Sequence, residues 1–190
     1  MKSDTFYTVV YCHGKGGHPW NGKKITLLKR VILANGMNLV SIPYEECDTV
    51  ADMVDQTVAI CLDKAMVPDK LILIGSSRGG FIAASASHIL AQRSNQVDGV
   101  FLLAPAIFDD NTYYPTAFVP PVAERVSVLH GYDDEVVPVA AVWRFCMQNG
   151  AQAHFVKDGH RLANSGVLMT ALIDEFLNGF LIVSKALSRR

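Results

Sequence analysis

Residues 71–85 read LILIGSSRGGFIAAS, and this stretch decides the fold. The four apolar residues LILI predict a strand that is covered on both faces, because a strand with one solvated face alternates apolar and polar residues. The residues GFIAA, which follow Arg78 and Gly79, predict a helix. Between the two, residues 75–79 match the pattern G-x-S-x-G centred on Ser77, in which a sharp strand-to-helix turn holds a serine at the edge of the sheet.

Strand-like and helix-like segments alternate along the rest of the chain. Apolar runs bounded by Gly, Pro or Asp predict strands at residues 6–12, 38–43, 70–75, 100–104, 126–130 and 153–157. Segments of helical length lie at residues 21–34, 49–65, 77–92, 139–149 and 164–184. This alternation predicts an α/β fold, with a mostly parallel sheet of about six strands and helices on both faces. We find no internal repeat and no linker, so we expect one three-layer domain over residues 1–190.

Composition argues against several functional classes. Half of the 190 residues are hydrophobic and 18% are charged, so the chain can bury a large core. The net charge is −1 and the basic residues are scattered, which argues against nucleic acid or a membrane surface as a partner. No apolar stretch reaches the roughly 18 residues that a membrane helix needs, and no signal peptide is recognisable. We therefore expect a cytoplasmic protein without nucleic-acid or membrane partners.

The cysteines and histidines form no metal or disulfide pattern. The four cysteines are far apart and form no CxxC pair, so we expect free thiols in a reducing compartment. The six histidines form no HExxH motif, so we expect no metal site. The oligomeric state stays open: we expect the apolar segment 166–183 to pack as the last helix on the sheet, although it could also face a partner.

Ser77 needs partner groups before it can act as a nucleophile. A hydroxyl requires a base near neutral pH, and the base requires a carboxylate that orients it. The acidic run at residues 133–135 follows a predicted strand, and His160 follows the last predicted strand. Since the carboxyl ends of parallel strands meet at one edge of the sheet, we expect an acid and His160 to meet Ser77 there. Ser76 is expected to point away from this site.

Three motifs together resemble those of small α/β-hydrolases, of the compact serine esterase and thioesterase kind. They are YCHGKGG at residues 11–17, GSSRG at 75–79 and HGYDDEVVP at 130–138. The resemblance spans nearly the whole chain and implies a three-layer α/β-hydrolase fold. About 20 residues separate the predicted strands that end at residue 104 and begin at residue 126, which leaves no room for a large cap domain.

The resemblance also implies the members of a Ser-His-Asp triad. The third motif is similar to the family's HGxxDxxVP pattern, whose aspartate is the acid. That aspartate falls on Asp134, with Asp133 as the fallback. The Gly-His pair near the end of such chains corresponds to Gly159-His160. The implied catalytic residues are therefore Ser77, Asp134 and His160.

The resemblance further implies an oxyanion hole built from two backbone N–H groups, those of Lys15 and Arg78. The sequence leaves open whether the charged side chains of these two residues select an anionic substrate. Three aromatic residues, Trp20, Tyr113 and Tyr114, are candidate walls of an acyl or leaving-group pocket, because ligand sites are mostly apolar.

These residues predict a cofactor-independent serine hydrolase that cleaves an ester or thioester bond of a small-molecule or surface-accessible acyl substrate. The proline-rich loop at residues 105–121 is expected to be the only lid over an open site.

Two other readings remain open. One keeps the fold without catalysis, as a hydrolase-like binding module, because a fold does not prove a chemistry. The other is nucleotide binding through the Gly-rich loop at residues 14–24, where GHPWNGKK nearly matches the P-loop pattern GxxxxGK[ST]. Lys24 stands where that pattern needs a hydroxyl for Mg²⁺, which makes the nucleotide alternative the weaker one.

Overall fold

The computed structural model describes residues 6–108 and 118–188, and in this part of the chain six strands and five helices form. In chain order the elements are β1 Tyr7–Cys12, α1 Lys23–Ala34, β2 Asn38–Ser41, α2 Val50–Leu62, β3 Lys70–Ser76, α3 Arg78–Gln92, β4 Gly99–Leu103, β5 Arg125–Gly131, α4 Val139–Asn149, β6 Gln152–Val156 and α5 Gly166–Ser188. None of the described helices has both the length and the hydropathy that crossing a bilayer requires.

The six strands form one sheet in the order β2-β1-β3-β4-β5-β6, and every pair of neighbours is parallel. The chain crosses from β1 outward to β2, and from β3 it proceeds in the opposite direction along the sheet. The carboxyl ends of β1 and β3 therefore flank the point where the strand order reverses. Open α/β sheets bind their ligands in the crevice at such a point.

The core has two halves, one on each face of the sheet. On one face, alternate strand residues such as Val10 and Leu73 pack among side chains of α2, α3 and α4. On the other face, Val9, Ile72 and Ile74 pack among side chains of α1 and α5. The LILI run is apolar throughout because β3 lies in the middle of the sheet, with helices on both of its faces.

The predicted fold class is confirmed, and the differences concern the ends of elements. The third helix had been expected to include Ser77 and the second Thr49, but both residues precede their helices as N-caps. Thr49 forms a capping box with Asp52, which explains why the regular helix begins one residue later. β2 ends at Ser41 rather than at residue 43, since the proline there has no N–H for the ladder.

Candidate active site

Ser77 lies in a strained backbone conformation at the turn between β3 and α3. Its φ is 54° and its ψ is −119°, which is unusual for a residue with a Cβ and costs of the order of 1–3 kcal/mol. Backbone hydrogen bonds hold it: its N–H donates to Leu103 at 2.9 Å, and its carbonyl accepts from Gly80 at 2.8 Å, Ala106 at 3.0 Å and Phe81 at 3.4 Å. The turn therefore presents the Ser77 side chain at a fixed place.

The glycines around Ser77 are required by close backbone contacts. A Cβ at Gly75 would collide with the carbonyl of Gly79, and a Cβ at Gly79 would collide with the carbonyl of Cys12. The strand, the turn and the loop after β1 therefore pack against one another at distances that only glycine permits.

The side chain of His160 connects Ser77 to Asp134. The Ser77 Oγ lies 2.8 Å from His160 Nε2, and His160 Nδ1 lies 2.8 Å from Asp134 Oδ2 and 3.1 Å from Asp134 Oδ1. Ser77 follows β3, Asp134 follows β5 and His160 follows β6, so the carboxyl ends of three strands of the sheet supply the three groups. With Nδ1–H donating to the carboxylate, Nε2 is free to accept the serine proton.

The side chain of Asp134 is fully buried and held by its own loop. Its Oδ1 accepts hydrogen bonds from the N–H groups of Val136 at 2.9 Å and Val137 at 2.8 Å. Burial alone raises the pKa of this carboxyl, but the hydrogen bonds from His160, Val137 and Val136 outweigh it and leave the pKa below its usual value. The carboxylate is therefore ionised at neutral pH. The fallback acid, Asp133, is exposed, and no contact joins its carboxylate to His160.

The loop that carries His160 is fixed by two carboxylates to which the sequence had assigned no role. Glu135 Oε2 accepts the backbone N–H of His160 at 3.1 Å. Asp158 accepts from the N–H groups of Gly159 and Asn164, both at 2.9 Å, and from the Ser165 hydroxyl at 2.8 Å. Asp158 therefore caps the turn before α5.

The loop after β1 approaches the nucleophile at Gly14. A Cβ on Gly14 would lie 3.2 Å from the Ser77 Cβ and 3.1 Å from the Ser76 carbonyl oxygen. Arg78 is the first residue of α3, where a backbone N–H has no partner within the helix. Lys15 and Arg78 both line the same cavity as Ser77 and His160. The oxyanion hole assigned to their N–H groups remains a prediction.

A cavity of about 750 Å³ opens over Ser77 and His160. Trp20, a candidate wall, is 57% exposed and is not among the described residues that line this cavity. The other two candidates, Tyr113 and Tyr114, lie outside the described residues, as does most of the expected lid. Phe108, at the start of that loop, does line the cavity.

Ser76 corrects one expectation, because it lines the cavity instead of pointing away from it. Strand side chains alternate between faces, which puts Ser76 on the same face as Ile72 and Ile74, and the cavity extends down this face to α1. There the Lys24 ammonium donates a hydrogen bond to Ser76 Oγ at 2.8 Å. No local pattern predicts this contact, because 52 positions separate the two residues.

The Gly-rich loop does not have the features of a phosphate-binding loop. The N–H groups of Trp20 and Asn21 both donate to the ring of His18 at 3.1 Å, so they are not free to hold a phosphate. The Lys24 ammonium donates to Ser76 Oγ at the end of β3 and makes no hydrogen bond to the Gly-rich loop. Within residues 6–108 and 118–188, no cluster of three His, Cys, Asp or Glu side chains could hold a metal ion.

No family model and no curated protein matches the chain. Solved structures do match it along most of its length. A protein from Xanthomonas campestris pv. campestris, described as a hydrolase of the alpha/beta superfamily, is 23% identical, has a TM-score of 0.77, and the match covers 92% of this chain and 99% of that one.

Two further structures match with a TM-score of 0.72 and 17% identity. One is an esterase from Pyrococcus furiosus, matched over 92% of this chain and 83% of its own. The other is a serine hydrolase without a lid from Xanthomonas campestris, matched over 94% of this chain and 84% of its own. At these identities the similarity establishes the fold. The chain has the α/β-hydrolase fold, in a compact form, as the motif resemblance implied.

Proposed function

We propose that this protein is a serine hydrolase that cleaves an ester or thioester bond through a covalent acyl-enzyme. The observation that carries the proposal is the continuous hydrogen-bonded chain from Ser77 Oγ through His160 to the buried carboxylate of Asp134. An esterase and a lidless serine hydrolase among the structural neighbours are consistent with it. The silent binding module has less support, because a binding role gives no reason for a strained serine with a base 2.8 Å away.

In the proposed mechanism, Ser77 Oγ attacks the acyl carbonyl carbon while His160 Nε2 accepts the hydroxyl proton. The carbonyl π electrons move to the oxygen, and the N–H groups of Lys15 and Arg78 stabilise the resulting oxyanion. His160 then gives its proton to the leaving alcohol or thiol as the C–O or C–S bond breaks. Water, deprotonated by the same histidine, releases the acyl group from Ser77 in the second half of the cycle.

Asp134 has two tasks in this cycle. Its contact to Nδ1 fixes the tautomer of His160 that can accept a proton at Nε2. Its negative charge also stabilises the imidazolium that forms when Ser77 reacts. The low pKa of Asp134 keeps that charge in place at neutral pH.

The proposed substrates are small acyl compounds, or esters displayed on the surface of a larger molecule. Only 21 residues separate β4, which ends at Leu103, from β5, which begins at Arg125. A connection of this length is too short for a cap domain, so an open site with a loop as its lid is the form we propose. A cytoplasmic location and a reaction without a cofactor are parts of the same proposal.

Active-site labelling tests the proposal. A fluorophosphonate probe should label the wild-type protein at Ser77, and the Ser77→Ala variant should not react. The matched control is Ser76→Ala, which should still be labelled at Ser77. Persistent labelling of Ser77→Ala would assign the nucleophile to another residue.

Turnover tests the bond that is cleaved. A panel of p-nitrophenyl esters and acyl-CoA thioesters of increasing acyl length should be hydrolysed by wild type and not by Ser77→Ala. A wild-type protein that is labelled but turns over no member of the panel, and instead binds one of them unchanged, would favour the binding module.

A further inference from the structure

The charged side chains that line the cavity over Ser77 are mostly basic. Among the described lining residues there is one acidic side chain, that of Glu135, and there are four basic ones: Lys15, Lys24, Arg78 and Arg161. The whole chain has 17 basic and 18 acidic residues, so this excess is local. Glu135 is also engaged, because its carboxylate accepts the N–H of His160 at 3.1 Å. A cavity of this kind attracts anions.

Lys24 is partly buried, whereas Lys15 and Arg161 are exposed. It lies in the first turn of α1, and its side chain reaches down to the floor of the cavity, where Nζ donates to Ser76 Oγ at 2.8 Å. Within the described part of the chain, no carboxylate lies within ion-pair distance of this ammonium. An ammonium has three N–H donors, and the bond to Ser76 uses one of them.

The enclosure of Lys24 has an energetic cost. Burial lowers its pKa to about 8, although the more distant charges of Asp134 and Asp158 act in the opposite direction. A partly buried ammonium with only a neutral hydroxyl as its partner is left with unsatisfied donors and charge. A bound anion would supply both missing partners.

The position of this ammonium relates it to the reaction. Ser76 is the neighbour of Ser77, and adjacent Cα atoms are about 3.8 Å apart. An anionic group held by Lys24 would therefore lie close to an ester carbonyl placed at Ser77. Two free N–H donors on one positive charge match the two oxygens and the single charge of a carboxylate.

We propose that the site selects esters or thioesters that carry a carboxylate, and that Lys24 binds this carboxylate. The inference rests on the proposed hydrolase function and adds the substrate class. Arg78 contributes to the same positive field from another side: its Nε is buried and has no hydrogen-bond partner among the described residues. Burial lowers the pKa of His13, and the charge of Arg78 acts in the same direction.

The test compares two esters of nearly equal shape. Monomethyl esters of succinic, glutaric and adipic acid carry a carboxylate, and in the methyl esters of the corresponding monoamides a neutral carboxamide replaces it. Methanol release gives kcat/KM for each. Wild type should prefer the best carboxylate ester over its amide by roughly 10- to 100-fold, the worth of a charge-assisted hydrogen bond.

The preference should disappear in Lys24→Met, and Lys24→Gln serves as a second variant if the first does not fold. The matched control is Lys23→Met, because Lys23 is exposed and donates to the Ala163 carbonyl outside the cavity. This control should keep the wild-type preference. Equal rates for both esters in wild type, or an unchanged preference in Lys24→Met, would overturn the proposal. A preference lost in Arg78→Met and kept in Lys24→Met would overturn the assignment to Lys24.

A binding measurement separates this inference from the hydrolase proposal. Titration calorimetry with glutarate uses no catalysis, and the dissociation constant should rise at least tenfold in Lys24→Met relative to wild type and to Lys23→Met. If wild type hydrolyses no ester but glutarate binding still depends on Lys24, the hydrolase proposal fails and the anion site stands. If the esters are hydrolysed and glutarate binds Lys24→Met as well as wild type, the anion site fails alone.

Discussion

Asp134 Oδ2 lies 3.5 Å from His130 Nε2, and both side chains are fully buried. The same nitrogen of His130 lies 3.2 Å from the Val137 carbonyl oxygen, to which its N–H donates. Burial lowers the pKa of His130 more than the charge of Asp134 raises it, so the ring stays neutral. Asp134, the proposed acid, therefore contacts His130 as well as His160. The neutral ring of His130 stabilises the loop through the Val137 carbonyl and does not exchange protons.

Replacing His130 should affect stability more than turnover. His130→Phe keeps the ring but leaves the buried Val137 carbonyl without its donor, which should lower the free energy of unfolding by about 1–3 kcal/mol. Loss of the contact to Asp134 should reduce kcat by only about fivefold, which corresponds to about 1 kcal/mol. Urea denaturation and ester hydrolysis measure the two effects.

The control is His154→Phe, on the edge strand β6, which should change the free energy of unfolding by about 0.5 kcal/mol or less. Equal losses of stability in both variants would contradict the role assigned to His130.

The two neighbouring aspartates should differ sharply. Asp134→Asn keeps the shape of the site but allows the wrong tautomer of His160, so kcat should fall on the order of 10⁴-fold. Asp133→Asn should retain nearly the wild-type kcat, because its carboxylate is exposed and makes no contact to His160. Steady-state hydrolysis of one p-nitrophenyl ester by the three proteins is sufficient. A large loss in Asp133→Asn alone would identify Asp133 as the acid.

The close packing at the turn predicts a strong effect of one methyl group. In Gly79→Ala the added Cβ would collide with the carbonyl of Cys12, so β1 and α3 must move apart. We expect a loss of stability of about 1–3 kcal/mol or more, together with a loss of fluorophosphonate labelling as Ser77 is displaced. Gly166→Ala is the control, because its Cβ would meet only the flexible end of Leu27 at 3.3 Å. Similar melting temperatures for the two variants would count against the proposed rigidity of the turn.

The preference for a carboxylate ester should depend on pH through Lys24. Because burial lowers its pKa to about 8, the ammonium is charged below that pH and becomes neutral above it. The ratio of kcat/KM for the carboxylate ester to that for its amide should therefore be largest below pH 8 and fall as the pH rises through this value. Taking the ratio cancels any pH dependence that the two esters share.

The other groups near Lys24 should not produce this change. The pKa values of Asp134 and Asp158 lie below the usual range, and that of Tyr11 is raised by burial, so all three keep their charge state between pH 6 and pH 9, the range of the measurement. Lys24→Met should show a flat ratio over the same range. A wild-type ratio that does not fall with pH would mean that another group binds the carboxylate.

The sequence was sufficient for the fold because its strongest patterns are local. The LILI run and the glycines around Ser77 predict a buried strand that turns into a helix, and the structure has β3 and α3 at these positions. Choosing Asp134 over Asp133 was not possible from periodicity or spacing and depended on the resemblance. The structure separates them physically, by the two backbone N–H groups that turn the Asp134 carboxylate inward.

Contacts between distant parts of the chain could not be predicted from local sequence patterns. In the sequence, Lys24 stands out only as the residue that departs from the P-loop pattern. Nothing in its neighbourhood along the chain predicts that its ammonium contacts Ser76. Trp20 was proposed as a pocket wall because aromatic residues favour such places, but it lies 57% exposed in a turn organised by the ring of His18. In both cases the position of the side chain depends on where a loop folds back, and composition does not predict the path of a loop.

The hydrogen bonds of Asp158 link the loop of His160, the proposed base, to the start of α5. The Asp158 carboxylate accepts hydrogen bonds from the backbone just before His160 and from the two residues that precede α5. Fraying of that helix would release the imidazole while the central strands remain intact. On heating, the protein should therefore lose its hydrolase activity at temperatures at which its circular dichroism still shows a folded sheet.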